Sequence, residues 1–310
     1  MEGHGEGTVI SRTAAELVHD AHAEQGEGPT WNGQAGTLDW VDIAGQCIHR
    51  FDPRSGEDVC IPTGQDIGAI GLRSRGGYIL ALRDGFALME EGTSRWSMLA
   101  EVEAADLTMR MNDGKADGRG RFWAGTIPYD PLPFEPGSGR GALYRLDPDG
   151  TVTRVLTGLG ISNGLDWTMD DRTMYFIDSF DWTIDCFDFD LSEGSLGNRR
   201  KILDVENDTS SPAGLSIADG MTLDAEGHLW IAMYGKGEVH RYTPTGCLEA
   251  IVDVDATGVS SCAFGGDDLG DLYITSQSRM PGGDDPRRHP GGLFRVRPGV
   301  SGRPPRMFAG

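Results

Sequence analysis

Four short polar stretches carry the side chains best suited to chemistry. Glu27 sits between Gly26 and Gly28 and ahead of Pro29, so its carboxylate is held on stiff, irregular backbone. Asn163-Gly164 and Asp219-Gly220 come later, each about ten residues before a strand bearing Tyr or Trp. The fourth stretch, Arg110 to Asp117 (RMNDGKAD), packs Arg, Asn, Asp, Lys and Asp around Gly114. Two carboxylates and an amide oxygen are hard donors, suited to Ca²⁺, Mg²⁺ or Mn²⁺, with Zn²⁺ also accommodated. Three protein ligands, Glu27, Asn163 and Asp219, would leave positions on one divalent ion for water and substrate, as a catalytic metal requires. Asp-Gly and Asn-Gly are also turn dipeptides, so all four stretches read as loops, the usual place for function on a rigid scaffold.

Residues this far apart meet only if the elements between them repeat in space. Paired short strands do recur: Thr37–Asp42 with Cys47–Phe51, Tyr78–Leu82 with Phe86–Met89, Phe122–Thr126 with Ala142–Leu146, Met174–Asp178 with Ile184–Asp188, Leu229–Met233 with Val239–Tyr242, and Leu272–Thr275 with Gly292–Val296. Six copies at a period of about 40 to 55 residues predict an all-β, six-bladed β-propeller. Glycine supports many turns, with 46 in 310 residues, about twice the usual share of roughly 7%. A strand over Thr13–Asp20 is expected to join the last blade and close the ring. Residues 1–12 then form a loose tail and 13–310 one propeller domain. Equivalent positions of successive blades face one channel mouth, which puts Glu27, Asn163 and Asp219 together on the central axis. The Pro/Gly-rich insert Pro128–Gly141 reads as a surface loop near the channel rim.

Composition excludes several classes. A formal net charge of −21, from 48 acidic and 27 basic residues, repels a phosphate backbone, so no nucleic-acid partner is expected. No apolar run approaches the ~18 residues of a membrane helix, and Met1–Arg12 lacks a signal-peptide pattern. Five cysteines, an odd number without a Cys-x-x-Cys pair, are expected as free thiols in a reducing cytoplasm. The seven histidines form no His-x-x-x-His or His-Glu-x-x-His pattern, so a zinc site of the His/Cys kind is not expected. Trp31, Trp123, Trp167 and Trp230 recur at strand positions and are expected to pack rather than stack on sugar. Lys115 and Asp117 are expected to tie their stretch to its blade.

Several motifs in order resemble the regucalcin (senescence marker protein)/gluconolactonase family of six-bladed propellers. They are Glu27-Gly-Pro-Thr-Trp31, the Arg110–Asp117 stretch, Gly125-Thr126, Ser162-Asn-Gly-Leu-Asp-Trp167, the run from Asp219 to Trp230, Ser261-Cys-Ala-Phe-Gly-Gly266 and Gly291-Gly-Leu-Phe294. The resemblance implies a single divalent metal on the axis, with ligands at Glu27, Asn163 and Asp219. It also implies substrate contacts from Arg110 and Asn112, and hydrolysis of sugar lactones to aldonic acids. Some close relatives carry a substrate-contacting Glu after the Gly-Thr pair; here Asp130 falls there, in a different, Pro-rich loop. Before Asp219 the family often has Pro, whereas this chain has Ala218 after a long loop, Asn207–Ser216.

The expected activity is metal-dependent opening of a sugar lactone by a monomer or weak homo-oligomer, with Asp219 as ligand and general base. No serine nucleophile is required, and an α/β-hydrolase-type serine esterase is set aside. Three other readings remain: an esterase or organophosphate hydrolase on the same metal, a non-catalytic calcium-binding regulatory propeller, and a protein-interaction propeller. Arg110 and Asn112 favour an enzyme, because an ion buffer has no use for a guanidinium that repels its cation.

Overall fold

The computed structural model describes residues 10–130, 139–280 and 285–310, which form strands and connections with no helix among them. Six sheets are arranged as blades, five of four strands and one of five. The innermost strands are Gly26–Asn32, Ile67–Leu72, Met109–Ala116, Ser162–Trp167, Ile217–Leu223 and Gly258–Gly265. Each of them touches the next, and the last touches the first, so the ring is closed. This is the six-bladed propeller that the strand repeat predicts.

The ring is sealed by the N-terminal segment, as expected, but by two strands rather than one. Glu16–His19 pairs antiparallel with Leu293–Val296 as the outermost strand of blade six. Ser11–Ala14 runs parallel to Leu248–Asp253 and adds a fifth strand to blade five. Strand structure therefore begins at Ser11, inside the expected tail, and Arg12 reaches Glu238 at 2.5 Å and Asp253 at 2.6 Å. Residues 1–9 of that tail lie outside the described residues, as do 131–138 of the insert after Pro128.

The blades are held apart and together by buried aromatic rings. Trp40, Trp123, Trp167 and Trp230 are all buried, and Phe86 of blade two meets Phe122 of blade three edge-on at 6.1 Å. Two blades repeat a local latch. Asp117 accepts from the backbone N–H of Arg119 and Arg121 and from Trp123 Nε1 at 2.9 Å. Asp224 does the same for Glu226, His228 and Trp230 Nε1 at 3.0 Å. Each buried aspartate thus ties a turn to the ring six residues on, the structural role expected of Asp117.

The polar stretches are not loops. Arg110, Asn112, Asn163 and Asp219 lie within innermost strands, and Glu27 is the second residue of another. Each innermost strand slips in register against its neighbour, between Glu27 and Thr30, Ile67 and Ala69, Met111 and Gly114, Ser162 and Leu165, Ala218 and Met221, and Val259 and Ser261. These are β-bulges, which re-aim side chains toward the channel. Gly114 and Gly164 serve close approach rather than turns. A Cβ on Gly164 would come 2.7 Å from the Asp219 carbonyl oxygen, and one on Gly114 would come 2.6 Å from that of Trp123.

Candidate active site

One end of the channel opens into a cavity of about 670 Å³ lined by Glu27, Arg110, Asn112, Asn163 and Asp219 together. The blade phase therefore brings together the three expected metal ligands and both expected substrate contacts. Apolar walls come from Ile127, Ile161, Phe180, Ile217, Tyr234 and Met280. Leu215, at the end of the long Asn207–Ser216 connection, adds to one wall. That connection is pinned across its base by Ser216 Oγ, which accepts from Asp208 N at 2.7 Å.

The polar side chains form a chain of hydrogen bonds around the axis. Arg110 Nη1 donates to Asn112 Oδ1 at 2.7 Å and to the Met111 carbonyl at 3.0 Å. Asn112 Nδ2 donates to Asn163 Oδ1 at 3.0 Å and to the Ser162 carbonyl at 2.9 Å. Asn163 Nδ2 donates to Ser179 Oγ at 2.8 Å, and Ser179 Oγ donates onward to the Ala218 carbonyl at 2.7 Å. Because the serine proton is committed to Ala218, Ser179 can only accept from the amide. The Asn163 side chain is thus fixed with its oxygen toward Asn112 and the axis. Asp178, one residue before, accepts from Gly160 N at 2.9 Å and Ile161 N at 3.0 Å, anchoring the entry to Asn163's strand. Burial raises that carboxyl to about 6.

Charge at this end is poorly compensated. Glu27 accepts from its neighbour Gly28 N at 3.0 Å, and no ion pair to Glu27 or Asp219 occurs among the described residues. Burial first, then repulsion from Asp219 and Asp113, pushes the Glu27 carboxyl well above its ordinary range. Burial and Asp113 do the same to Asp219. Burial likewise pulls the Arg110 guanidinium down, against the attraction of Glu27 and Asp219. Buried like charges with oxygen donors and a fixed amide oxygen make an environment that a hard divalent cation relieves.

Two expected residues stand differently. Asn112 lines the cavity but uses both ends of its amide on protein groups, linking Arg110 to Asn163. Asp130 is exposed at the end of a described stretch and is not among the lining residues, although the adjacent Tyr129 is. Tyr129 donates to Asp66 Oδ2 at 2.7 Å, and burial with that bond raises its phenol to about 12.

Sequence reasoning passed over three residues. Asp113 has the local signature of half a turn dipeptide, yet it is a buried carboxylate on the next level of the axis. Ser179 gave no signal, since a serine ending a strand is unremarkable by type. Ser162 falls in Gly160-Ile-Ser162-Asn-Gly164, which has nucleophile-elbow spacing. It lies on an innermost strand rather than at a strand–helix turn, and its buried Oγ has no hydrogen-bond partner, so nothing activates it.

Comparison with known proteins finds relatives in sequence and in fold. Residues 25–278 match the SMP-30/gluconolactonase/LRE-like region. Regucalcin of Xenopus laevis is 37% identical over 305 residues, covering 97% of this chain and 100% of the relative. The solved structure of a calcium-binding protein, regucalcin, from Agrobacterium tumefaciens superposes with a TM-score of 0.86 at 26% identity, over 96% of this chain and 98% of that one. A luciferin-regenerating enzyme superposes with a TM-score of 0.85 at 28% identity, over 96% and 99%. Through its sequence and its six blades, the chain belongs to the SMP-30/gluconolactonase/LRE-like family.

Proposed function

We propose that the protein hydrolyses a sugar lactone to the aldonic acid at the wide end of its channel, with one divalent ion held by Glu27, Asn163 and Asp219. The observation that carries this reading is Arg110, a buried guanidinium beside buried carboxylates. Only its Nη1 is engaged by protein; its other nitrogens have no acceptor among the described residues. A site meant only to store a cation gains nothing from that neighbour, which repels the ion. A polar ring-shaped substrate gains a donor for its carbonyl or hydroxyl oxygens.

Bound there, the ion supplies Lewis-acid polarisation of a carbonyl oxygen. Asp219, facing the same space, takes the proton of the attacking water, and a positioned base contributes about 10²–10⁴-fold. Arg110 orients the lactone and stabilises negative charge developing on its oxygen. Asn112 aims Arg110, and Ser179 holds the Asn163 amide oxygen inward. The apolar wall around Phe180 and Tyr234 excludes water from one side of the ring. Five unpaired cysteines suit a reducing compartment, in keeping with a cytoplasmic location.

The test is a pH-indicator assay on glucono-, galactono-, xylono-, arabinono- and rhamnono-lactones. EDTA-treated protein is supplied with Ca²⁺, Mg²⁺, Mn²⁺ or Zn²⁺ in turn. Metal-restored turnover well above the spontaneous rate is the expected result. Absence of turnover on every lactone, with metal binding shown by a thermal shift, would favour an ester or organophosphate substrate first. A non-catalytic calcium-binding role would come second.

A further inference from the structure

Away from the axis, cross-strand pairing assembles a second set of donors that linear spacing conceals. Cys47 and His49 lie two residues apart on the strand Cys47–Asp52 and so share a face. Cys60, on the outermost strand Glu57–Pro62 of blade one, is the register partner of His49. One donor atom from each of the three lies within 4.8 Å of the others.

The imidazole is already oriented for coordination. His49 Nδ1 is 2.5 Å from Asp58 Oδ2, Nε2 is 3.3 Å from Cys47 Sγ, and the ring stacks on Trp40 with centroids 4.1 Å apart. A carboxylate at Nδ1 keeps the proton on that nitrogen and leaves the Nε2 lone pair directed at the sulfur, the arrangement of a carboxylate–histidine–metal relay. The Asp58 side chain is buried, and its Oδ1 has no hydrogen-bond partner. Tetrahedral zinc, with bonds of about 2.0–2.3 Å, sets its donors roughly 3.3–3.8 Å apart. The observed Cys47–His49 separation lies in that range.

We propose that Cys47, His49 and Cys60 form a binding site for a thiophilic cation of the Zn²⁺ class, with Asp58 orienting His49 and the fourth position open to water beside exposed Cys60. Binding replaces the two thiol protons, which pass to solvent, and the metal takes two thiolates and a neutral imidazole. This revises the expectation that the chain holds no His/Cys zinc site: a register pairing joins residues whose spacing matches no motif. His19 Nε2, on the ring-closing strand, lies 3.7 Å from Asp58 Oδ2, so the site adjoins the seam of the propeller.

Two other readings of these groups are weaker. Cys47, His49 and Asp58 also trace a nucleophile–base–orienter chain. Cys47 is only 5% exposed, however, and lines none of the described cavities. The other three-donor group, Asp224, Glu226 and His228, already holds a cation: Arg241 donates to Asp224 at 2.9 Å and to Glu226 at 2.6 Å.

Co²⁺ added to metal-free, reduced, full-length protein tests the site, because only thiolate ligands produce sulfur-to-cobalt charge-transfer absorption. The band is expected to saturate at one equivalent of thiolate-bound metal and to be displaced by Zn²⁺. It should lose at least half its intensity in Cys60→Ser, disappear in Cys47→Ser/Cys60→Ser, weaken at least tenfold in affinity in His49→Gln, and persist in Cys247→Ser and Asp219→Asn. In the unmutated protein, Zn²⁺ should slow iodoacetamide alkylation of Cys60 at least tenfold and leave Cys247 unaffected; both thiols are exposed. No band in the reduced protein, a band undiminished in Cys60→Ser or surviving in Cys47→Ser/Cys60→Ser, or equal alkylation with and without Zn²⁺ would overturn the assignment.

Discussion

The two ends of the channel are built from the same six strands and treat the buried aspartates Asp219 and Asp166 in opposite ways. At the wide end, Glu27 and Asp219 are buried without a basic partner in salt-bridge contact; burial pushes both carboxyls up, Glu27 further by Asp219 and Asp113 and Asp219 further by Asp113. The opposite end holds a smaller cavity of about 340 Å³, capped by Arg303, Pro304, Pro305 and Arg306 of the C-terminal segment. There Asp166 is equally buried but fully answered. Lys115 Nζ donates to it at 3.2 Å, Arg303 Nη2 at 3.3 Å, Trp167 N at 2.8 Å and Leu223 N at 3.1 Å. Burial pulls Asp166 up, and Lys115 with Arg303 outweighs it, so its carboxyl ends below the ordinary range. One end of the axis answers its buried carboxylate with two cations, and the other leaves its buried carboxylates without an ion pair among the described residues.

Variants at the two ends should therefore fail differently. The largest effect is expected from Asp219→Ala, which should cut lactone turnover by about 10²–10⁴-fold or more. Near-normal turnover with metal still bound would remove Asp219 from the role of base. Arg110→Ala should raise KM about ten- to hundredfold while kcat moves less, since it deletes a binding group rather than the base. A selective fall in kcat would assign it to the transition state instead. Ser179→Ala releases the Asn163 amide and should weaken Ca²⁺ or Mn²⁺ affinity about 10–100-fold by calorimetry, the usual cost of removing a partner behind a ligand. Unchanged affinity would show that Asn163 needs no support.

At the sealed end, Lys115→Met should destabilise the fold by about 1–3 kcal/mol in urea, because it strips one partner from a buried carboxylate. Metal affinity should stay as it was. Loss of metal binding in that variant would show that the two ends are coupled and break the comparison. The smallest effect is in pH. The folded-state pKa values of Glu27 and Asp219 are raised, so metal-free protein loses stability as pH rises from the ordinary carboxylate range, near 4, through those raised values. Measured as wild type minus the Glu27→Gln/Asp219→Asn double variant, that slope should be negative without metal and flatten when metal is bound. A positive slope would contradict the charge picture of the wide end.

Much of this was legible in the linear chain. Recurrent short apolar runs mark blades because each sheet must bury both faces and can do so only against another copy. In-phase polar residues mark the axis for the same reason, which is why Glu27, Asn163 and Asp219 could be named; Arg110 and Asn112 were named through the family resemblance, and all five line one cavity. The backbone beneath them was misread. Gly beside Asp or Asn signals a turn locally, but here Gly114 and Gly164 admit a neighbouring strand too close for any Cβ. A preference for turns is worth little against the packing of six strands around an axis.

The number of blades, the all-β class and the residue types at the channel mouth follow from periodicity and side-chain chemistry, which are properties of the chain alone. The partners of those residues follow from folding. Register placed Cys60 opposite His49, although no motif links them. The ring set Asp113 behind Asp219 and Ser179 behind Asn163. The C-terminal segment folded back to bring Arg303 to Asp166 from 137 residues away. Such pairings depend on where distant backbone segments lie within a few ångströms, and the packing of the closed ring sets those distances.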